Sequence, residues 1–459
     1  MSEREQTWEI EGPITWRGDA SYESTRASML WNDVKPDRFP DVIVRAASER
    51  DVPGAVRLAR SRGLRIAVRS GGHSWCGSPL RDGGMLIDLS RLRGCTVEPA
   101  SMTASVQPGV TGRGLAAALA RHGLAFPVGH CGSVSPGGYL LSGGLGWNSG
   151  AWGPGCQSVQ EIEAVTAGGE VVRCSEQENP DLFWAARGAG PGFFAVVTRF
   201  RLGLRPLPAG IVTAGYVFPL ADVAEVTHWA AGIAAELPPF VELSAVLGTA
   251  SSVTAEAPPG TKVIIVTAVA FANSWEEAGG SLQAFHACPL AGRALFRGPN
   301  RPATFDTLFD ASQALWPERH RYAADDMWSA SDIGVLLPEL AGDIADAPSG
   351  KSLVLAVLSP LAPEGVPLPD MAFSVLGTAY FACYAIWEDP AHDDADIRWL
   401  RETMRKVEPL GTGHYIAETD LPADPSRARR SFAPGTWERL RALRARYDPE
   451  GLFHSYLGP

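Results

Sequence analysis

The sequence is short of positive charge and of long apolar runs. Its 459 residues carry 40 Lys plus Arg against 51 Asp plus Glu, a formal net charge of −11. This balance excludes nucleic acid and an anionic membrane as expected partners, because both require clustered positive charge. No stretch approaches the roughly 18 apolar residues of a membrane-spanning helix, and residues 1–7 are too polar for a secretory signal.

Paired cysteines are also lacking. The seven cysteines show no C-x-x-C spacing, and their odd number fits a disulfide framework poorly. They are Cys76, Cys95, Cys131, Cys156, Cys174, Cys288 and Cys383. We therefore predict no metal site, no disulfide framework and a location in the reducing cytoplasm.

The length predicts two domains, because single hydrophobic cores stop growing near roughly 250 to 300 residues. Pro206 and Pro208 mark a break in the pattern, so a boundary is expected near residue 207. Beyond it, three segments rich in Val, Ile, Ala and aromatic residues predict sheet: 262–271, 352–359 and 373–387.

A strand–helix–strand unit is predicted between residues 42 and 69. An apolar strand at 42–46 is followed by helical spacing at Val52, Ala55 and Ala59 and by a helix end at Gly63. A second strand, 65–69, runs into the glycine turn 70–74, which is a candidate ligand loop. A further helix is expected to begin with Thr111 as its cap.

Residues 129–155 are the most unusual stretch, since ten of these 27 residues are glycine. Such density occurs where the backbone needs positive φ or approaches a ligand closely. Surface loops are the simpler interpretation, but Tyr139, Trp147 and Trp152 are residues that surface linkers avoid. We favour a buried ligand cradle.

The turn 69–74 offers several backbone N–H groups, an arrangement that binds phosphate oxygens. It matches neither the P-loop, which needs a lysine, nor the G-x-G-x-x-G fingerprint. Within it, His73 is either a structural histidine or a nucleophile. Cys131, inside the glycine-rich stretch, is either an inert buried thiol or a reactive one.

A series of motifs in fixed order gives a specific resemblance. They are WN from Trp31, AVRSGGHS from Ala67, LIDL from Leu86, VQPG from Val106, CGSVSPGGY from Cys131, SGGLG from Ser142, NPDLFWAARGAG from Asn179, AVVTRF from Ala195 and, more weakly, YDPEGLF from Tyr447. From Tyr22 to about Leu204 the chain resembles the FAD-binding half of the p-cresol methylhydroxylase and vanillyl-alcohol oxidase superfamily, in its berberine-bridge-enzyme-like branch.

The resemblance implies an α+β fold with a two-part FAD-binding domain and a substrate domain whose antiparallel sheet is covered by helices. The implied division is 1–207 for the FAD-binding domain, 208–418 for the substrate domain, and 419–459 for a C-terminal segment that returns to the first domain.

The resemblance also implies that FAD is bound through two covalent links, from His73 to flavin C8α and from Cys131 to flavin C6. This bicovalent type is associated with an open site for bulky substrates. Further implied cofactor contacts are Arg69, Ser70, Gly71, Gly72, Ser74, Val134, Ser135, Gly137, Gly138, Gly143, Gly144, Gly146 and Val196. Pro136 departs from the family pattern where relatives carry a residue that gates oxygen.

The catalytic base is expected near Tyr415 and Glu418, where relatives have a strand reading Tyr-x-Asn-Tyr. Tyr415 matches the first tyrosine and Glu418 replaces the second. A desolvated glutamate suits a general base, and a plain surface carboxylate is the alternative. On a strand, the two side chains would point to opposite faces, so only one would reach the flavin. Trp328, Tyr380 and Tyr384 are candidate pocket walls, with simple core residues as the alternative.

The expected activity is that of an FAD-dependent oxidase that takes hydride from a small or bulky organic substrate and passes electrons to O₂, giving H₂O₂. A composition rich in Ala, Gly, Arg and Pro favours a role in bacterial secondary metabolism. The alternatives are a sugar or amine oxidase, a dehydrogenase with another acceptor, and a flavin-holding protein without turnover.

Overall fold

A computed structural model describes residues 9–250, 257–331, 333–358, 365–377 and 379–457. Within these ranges the strands are β1 (Ile14–Trp16), β2 (Val42–Arg45), β3 (Ile66–Arg69), β4 (Met85–Asp88), β5 (Cys95–Glu98), β6 (Thr103–Val106), β7 (Leu124–Ala125), β8 (Val159–Val165), β9 (Val171–Cys174), β10 (Val196–Gly203), β11 (Arg205–Pro206), β12 (Gly210–Pro219), β13 (Val241–Thr249), β14 (Lys262–Ala272), β15 (Phe296–Pro302), β16 (Arg321–Ser329), β17 (Leu353–Val357), β18 (Ala379–Trp387) and β19 (Gly411–Gly413).

The α-helices of the described residues are α1 (Tyr22–Ala27), α2 (Asp51–Ser61), α3 (Gly112–Ala120), α4 (Pro136–Leu141), α5 (Ser149–Trp152), α6 (Pro180–Ala186), α7 (Val223–Ala234), α8 (Trp275–Gly280), α9 (Gln283–His286), α10 (Phe305–Leu315), α11 (Ile333–Ala345), α12 (Asp393–Val407), α13 (Arg427–Arg430) and α14 (Pro434–Tyr447). None of them combines the length and apolarity needed to cross a bilayer.

Two larger sheets and a two-stranded one, β7 with β11, form the N-terminal half. One of the larger sheets has the order β1-β2-β4-β3, with β2, β4 and β3 parallel, and the other is antiparallel in the order β5-β6-β10-β8-β9. The predicted strand–helix–strand unit is confirmed as β2, α2 and β3. The Thr111 cap is also confirmed, because its side chain accepts a hydrogen bond from the Gly114 amide.

An eight-stranded antiparallel sheet forms the second half, in the order β15-β12-β14-β13-β17-β18-β16-β19. Its side chains alternate between two faces, as strand geometry requires. Leu243, Ala245 and Leu247 of β13 are fully buried in the core that the sheet shares with α7, α11 and α12, and β13 itself packs against α11. The intervening residues of β13 face the other way, towards the N-terminal half.

The predicted sheet segment 373–387 needs correction, since its strand begins only at Ala379. The amides of Ala372 and Phe373 donate to the carbonyls of Trp184 and Arg187 instead of to a neighbouring strand. This part of the chain therefore crosses to the N-terminal half. Segment 262–271 lies within β14 as predicted. Segment 352–359 contains β17, and its residue 359 lies outside the described residues.

The C-terminal segment contacts the first sheet. The Ile66 amide donates to the Leu452 carbonyl at 2.7 Å, and the His454 amide donates to the Ile66 carbonyl at 2.8 Å, so this stretch lies alongside β3. No disulfide joins any of the seven cysteines, which all lie within the described residues.

Candidate functional site

A cavity of about 700 Å³ lies between the N-terminal half and the eight-stranded sheet. This volume is in the range of small-molecule and cofactor sites. Its walls are the turn 69–74, the glycine-rich stretch, one face of the sheet and helix α10.

The turn 69–74 is held in place by Arg69. Its guanidinium pairs with Asp88 at 2.9 Å and donates to the Met29 carbonyl at 3.0 Å. Gly72 has φ +76°, and a Cβ at this position would lie 2.5 Å from the same carbonyl, so only glycine fits here. Because Asp88 already neutralises Arg69, an anion bound at the turn would depend on backbone N–H groups.

The turn and the glycine-rich stretch approach each other closely. A Cβ on Gly71 would lie 3.0 Å from the Ser135 hydroxyl oxygen, and one on Gly137 would lie 2.5 Å from the Ser70 hydroxyl oxygen. The Gly138 amide donates to that Ser70 oxygen at 3.2 Å. The predicted cofactor contacts that line the cavity are Arg69, Ser70, Gly71, Gly72, His73, Ser74, Cys131, Val134, Ser135, Gly137 and Gly138.

Three glycines predicted to contact the cofactor, Gly143, Gly144 and Gly146, lie outside the cavity lining. A Cβ on Gly143 would lie 2.5 Å from the Phe373 ring, and one on Gly146 would lie 2.2 Å from a carbonyl oxygen. The Gly144 amide donates to the Tyr415 hydroxyl at 3.1 Å. These three glycines therefore allow the close packing that supports the cavity wall on its outer side.

Val196 is also misplaced by the prediction. Its neighbours Ala195 and Val197 line the cavity, whereas Val196 is fully buried in the core on the opposite side. Because strand side chains alternate, an assignment wrong by one residue selects the wrong face.

His73 and Cys131 both line the cavity. The His73 ring stacks on Trp31 with centroids 4.9 Å apart and hydrogen-bonds to the Ser133 backbone. Burial, assisted by Arg69, lowers the pKa of His73 to about 3, so its imidazole is neutral. Burial, assisted by Glu418, raises the pKa of Cys131 to about 12, so its thiol is protonated.

Residues 415–419 form a turn instead of the predicted strand. The amides of Glu418 and Thr419 both donate to the Tyr415 carbonyl, at 3.0 and 3.2 Å. The expectation that Tyr415 and Glu418 point to opposite faces is therefore wrong, because both side chains line the same cavity.

Glu418 is held by two tyrosines of β18. The hydroxyls of Tyr384 and Tyr380 donate to its Oε2 at 2.6 and 2.9 Å. Burial raises the pKa of Glu418, while these two hydrogen bonds and the charge of His130 act in the opposite direction. Both tyrosines line the cavity.

Trp328, the third predicted wall residue, lies one strand further along the sheet. It is buried, and its ring contacts that of Tyr380 with centroids 4.9 Å apart. Tyr380 lines the cavity and Trp328 does not, so Trp328 is a core residue that packs against Tyr380.

Sequence reasoning missed the pair formed by His130 and Glu242. The His130 Nε2 atom lies 2.7 Å from Glu242 Oε1, and the Asn148 amide donates to Oε2 at 3.3 Å. Both side chains line the cavity. The sequence did contain one indication of this pair. Glu242 is the one charged residue of β13, and a single acidic residue in an otherwise uncharged strand indicates a side chain that faces a cavity.

Helix α10, also missed, provides an apolar wall. Leu308, Ala311 and Leu315 are spaced three and four residues apart and line the cavity. Arg113 of α3 fixes this helix by pairing with Asp306 and, at 2.6 Å, with Asp310.

Asp325, Asp326 and His414 form a buried group with the spacing of metal ligands. Arg427 pairs with Asp325, and Asp326 Oδ2 accepts the Tyr415 amide at 2.5 Å. The group thus already has a cation partner, and it anchors the turn that carries Glu418.

Comparison with known proteins agrees with this geometry. A family profile described as an FAD binding domain matches residues 40–175. The FAD-linked oxidoreductase ptmO of Penicillium ochrochloron is 33% identical over 436 residues, covering 95% of this chain and 94% of that protein. The (R)-6-hydroxynicotine oxidase of Paenarthrobacter nicotinovorans is 35% identical over 217 residues, 47% of this chain and 46% of that protein.

Solved structures share the fold. The 6-hydroxy-D-nicotine oxidase of Arthrobacter nicotinovorans superposes with a TM-score of 0.83 at 22% identity, covering 98% of both chains. Berberine bridge enzyme of Eschscholzia californica gives a TM-score of 0.82 at 18% identity, covering 96% of this chain and 95% of that one. The matched FAD-binding segment and the full-length relatives show that the chain belongs to the FAD-linked oxidoreductases, with the fold that berberine bridge enzyme also has.

Proposed function

We propose that this enzyme is an oxidase with FAD linked covalently to His73 and Cys131 and with Glu418 as the base that deprotonates the substrate. The observation that carries the proposal is the Glu418 carboxylate, fixed by Tyr380 and Tyr384 in the cavity that His73 and Cys131 also line. Bound FAD would accept a hydride from a substrate carbon.

The residues present fit FAD. The turn 69–74 lies close to Ser135 and Gly137, and the backbone N–H groups of such a turn suit a pyrophosphate. Glu418 and the tyrosines of β18 line the same cavity on the side of the eight-stranded sheet. A dinucleotide would thus place its pyrophosphate at the turn and its flavin ring near Glu418.

The chemistry of the two attachment residues differs. His73 is neutral at ordinary pH and therefore carries a nucleophilic nitrogen, held in orientation by Trp31. The Cys131 thiol must lose its proton before it can bond, since the thiolate is the nucleophile. The His73 link is thus the easier of the two to form.

We assign the base to Glu418 and not to Tyr415. The Tyr415 hydroxyl accepts hydrogen bonds from the amides of Gly144 and Leu145, and burial raises its pKa, so it stays protonated. Burial raises the pKa of Glu418 above its ordinary value, which makes this carboxylate a better proton acceptor than an exposed one. Tyr415 then serves to position the glycine-rich wall.

The substrate is proposed to be a bulky, largely apolar molecule with an O–H or N–H group next to the carbon that is oxidised. The wall opposite the turn 69–74 is mainly apolar, with Val246, Ile265, Leu308, Leu355 and Trp316 among its residues. An oligosaccharide would leave many hydroxyls unpaired against such a wall. Secondary metabolism supplies compounds of this kind.

An amine oxidase is the second candidate. Two carboxylates, Glu242 and Glu418, line the cavity, and a substrate ammonium group would be attracted to both.

The test is anaerobic mixing of the holoenzyme with apolar alcohols and phenols, with aliphatic amines and with xylobiose, followed by air. The proposal predicts that apolar alcohols or phenols bleach the flavin and that air restores its colour with one peroxide per turnover. Bleaching by amines alone would favour the second candidate. Bleaching that air does not reverse would exclude O₂ as the acceptor.

A further inference from the structure

Glu242 is the one acidic residue on the cavity face of β13, where Ser244 and Val246 are the neighbouring cavity residues. Only a tenth (10%) of its side-chain surface is exposed. One oxygen meets His130 Nε2 at 2.7 Å and the other accepts the Asn148 amide at 3.3 Å. Both oxygens thus have donors suited to an ionised carboxylate.

His130 is placed to respond to that charge. Its ring lies with an edge contact on Trp147, centroids 4.3 Å apart, while 31% of its side chain stays accessible because it faces the cavity. Burial lowers the pKa of His130, but the carboxylates of Glu242 and Glu418 outweigh it and raise the pKa above its ordinary value.

The groups that act on Glu418 come from several elements. Tyr380 and Tyr384 of β18 donate hydrogen bonds to it. Tyr415 in its own turn, Cys131 in the glycine-rich stretch and Asp326 of β16 lie near it as neutral or acidic groups. Among the described residues that affect its ionisation, His130 is the group that can carry positive charge.

We propose that Glu242 keeps His130 protonated in the cavity, and that this imidazolium holds the catalytic carboxylate of Glu418 in its ionised form. Glu242 and His130 are thus positioning residues, and their role depends on the proposed function of Glu418 as base. The pair offsets part of the loss of solvation that raises the pKa of Glu418.

Glu242→Gln is the direct test, because the amide oxygen still accepts a hydrogen bond from His130 while the charge is lost. Holoenzyme labelled with ¹³C at histidine Cε1 is titrated by NMR, with the His130 signal assigned by its loss in His130→Gln. The pKa of His130 should exceed the ordinary value of about 6.5 in the wild type and fall by about one unit or more in Glu242→Gln. Glu225→Gln, which changes an exposed carboxylate paired with Arg293, should leave the signal unchanged.

The second measurement is the pH dependence of anaerobic flavin reduction. The reaction needs ionised Glu418, so its rate rises with pH through the pKa of that group. Glu242→Gln and His130→Gln should both move this rise to higher pH by about half a unit or more. If Glu242→Gln leaves the pKa of His130 unchanged, the proposed pairing of Glu242 with His130 is wrong, even if Glu418 proves essential for flavin reduction. If Glu418→Gln instead reduces its flavin normally, the proposed base fails while the titration of His130 stands by itself.

Discussion

The hydroxyl of Tyr384 donates a 2.6 Å hydrogen bond to Oε2 of Glu418, which lies 34 residues further along the chain. Tyr380 donates to the same oxygen. Two side chains on one face of β18 thus fix one carboxylate oxygen and leave the other, Oε1, available to a substrate proton.

Glu418→Gln should slow flavin reduction by about 10²- to 10⁴-fold, since general-base catalysis contributes about that much. FAD content should not change, because the proposed attachment residues are His73 and Cys131 and not Glu418. Anaerobic stopped-flow absorbance measures the rate. Glu388→Gln, a change at an exposed carboxylate near Lys351, is the control. Equal rates for Glu418→Gln and the wild type would remove Glu418 from the mechanism.

Tyr380→Phe with Tyr384→Phe should raise the pKa of Glu418, because both hydroxyls stabilise its charged form. The rate of flavin reduction should therefore increase at a higher pH in the double variant than in the wild type. The matched control is Tyr216→Phe, which removes a hydroxyl bonded to the His286 carbonyl on the helix side of the sheet. A profile that does not move in the double variant contradicts the assigned role of the two tyrosines.

Gly72→Ala should lower the flavin content of the purified protein. Its φ of +76° and the Met29 carbonyl, 2.5 Å from a new Cβ, both oppose the substitution. The ratio of flavin to protein absorbance measures the effect. Gly292→Ala, where a Cβ meets nothing within 4 Å, should keep full flavin content. Full loading of Gly72→Ala would show that the turn does not hold the cofactor.

Arg427→Met should destabilise the fold by about 3 to 5 kcal/mol at pH 8, because it leaves the buried Asp325 carboxylate without its partner. Burial, opposed by Arg427, raises the pKa of Asp325 to about 6. Removing Arg427 raises the pKa of Asp325 further. Protonation of Asp325 near pH 5 should therefore restore part of the lost stability. Urea unfolding at both pH values measures this, with the more exposed Arg430→Met as control. An equal loss at the two pH values would contradict the account.

Local patterns predicted the first half of the fold well. The unit β2–α2–β3 follows from apolar periodicity and a glycine stop, and the turn 69–74 follows directly from it. The glycine-rich stretch was recognisable because its composition is extreme, although Gly143, Gly144 and Gly146 support the wall from outside the cavity lining. At Val196 the strand was predicted, but the side chains that face the cavity are those of its neighbours, Ala195 and Val197.

Tyr380, Tyr384 and Glu418 were candidates from the sequence, but the contacts that bring side chains of the two halves together could not be predicted, because they join distant residues. His130 and Glu242 are 112 residues apart in sequence, and no local pattern links them. The strand expected at Tyr415 and Glu418 is a turn. Asp326 accepts a hydrogen bond from the Tyr415 amide, and the Tyr415 carbonyl accepts hydrogen bonds from the amides of Glu418 and Thr419. Only the folded chain shows that the Tyr415 and Glu418 side chains share one cavity.

Whether the cavity holds FAD through His73 and Cys131 is decided by the intact mass of the denatured, desalted protein. We expect the polypeptide plus one FAD for the wild type, for His73→Ala and for Cys131→Ala, and the polypeptide alone for the double variant. A wild-type mass without flavin, or a double variant that keeps it, would rule out these two residues as the attachment sites.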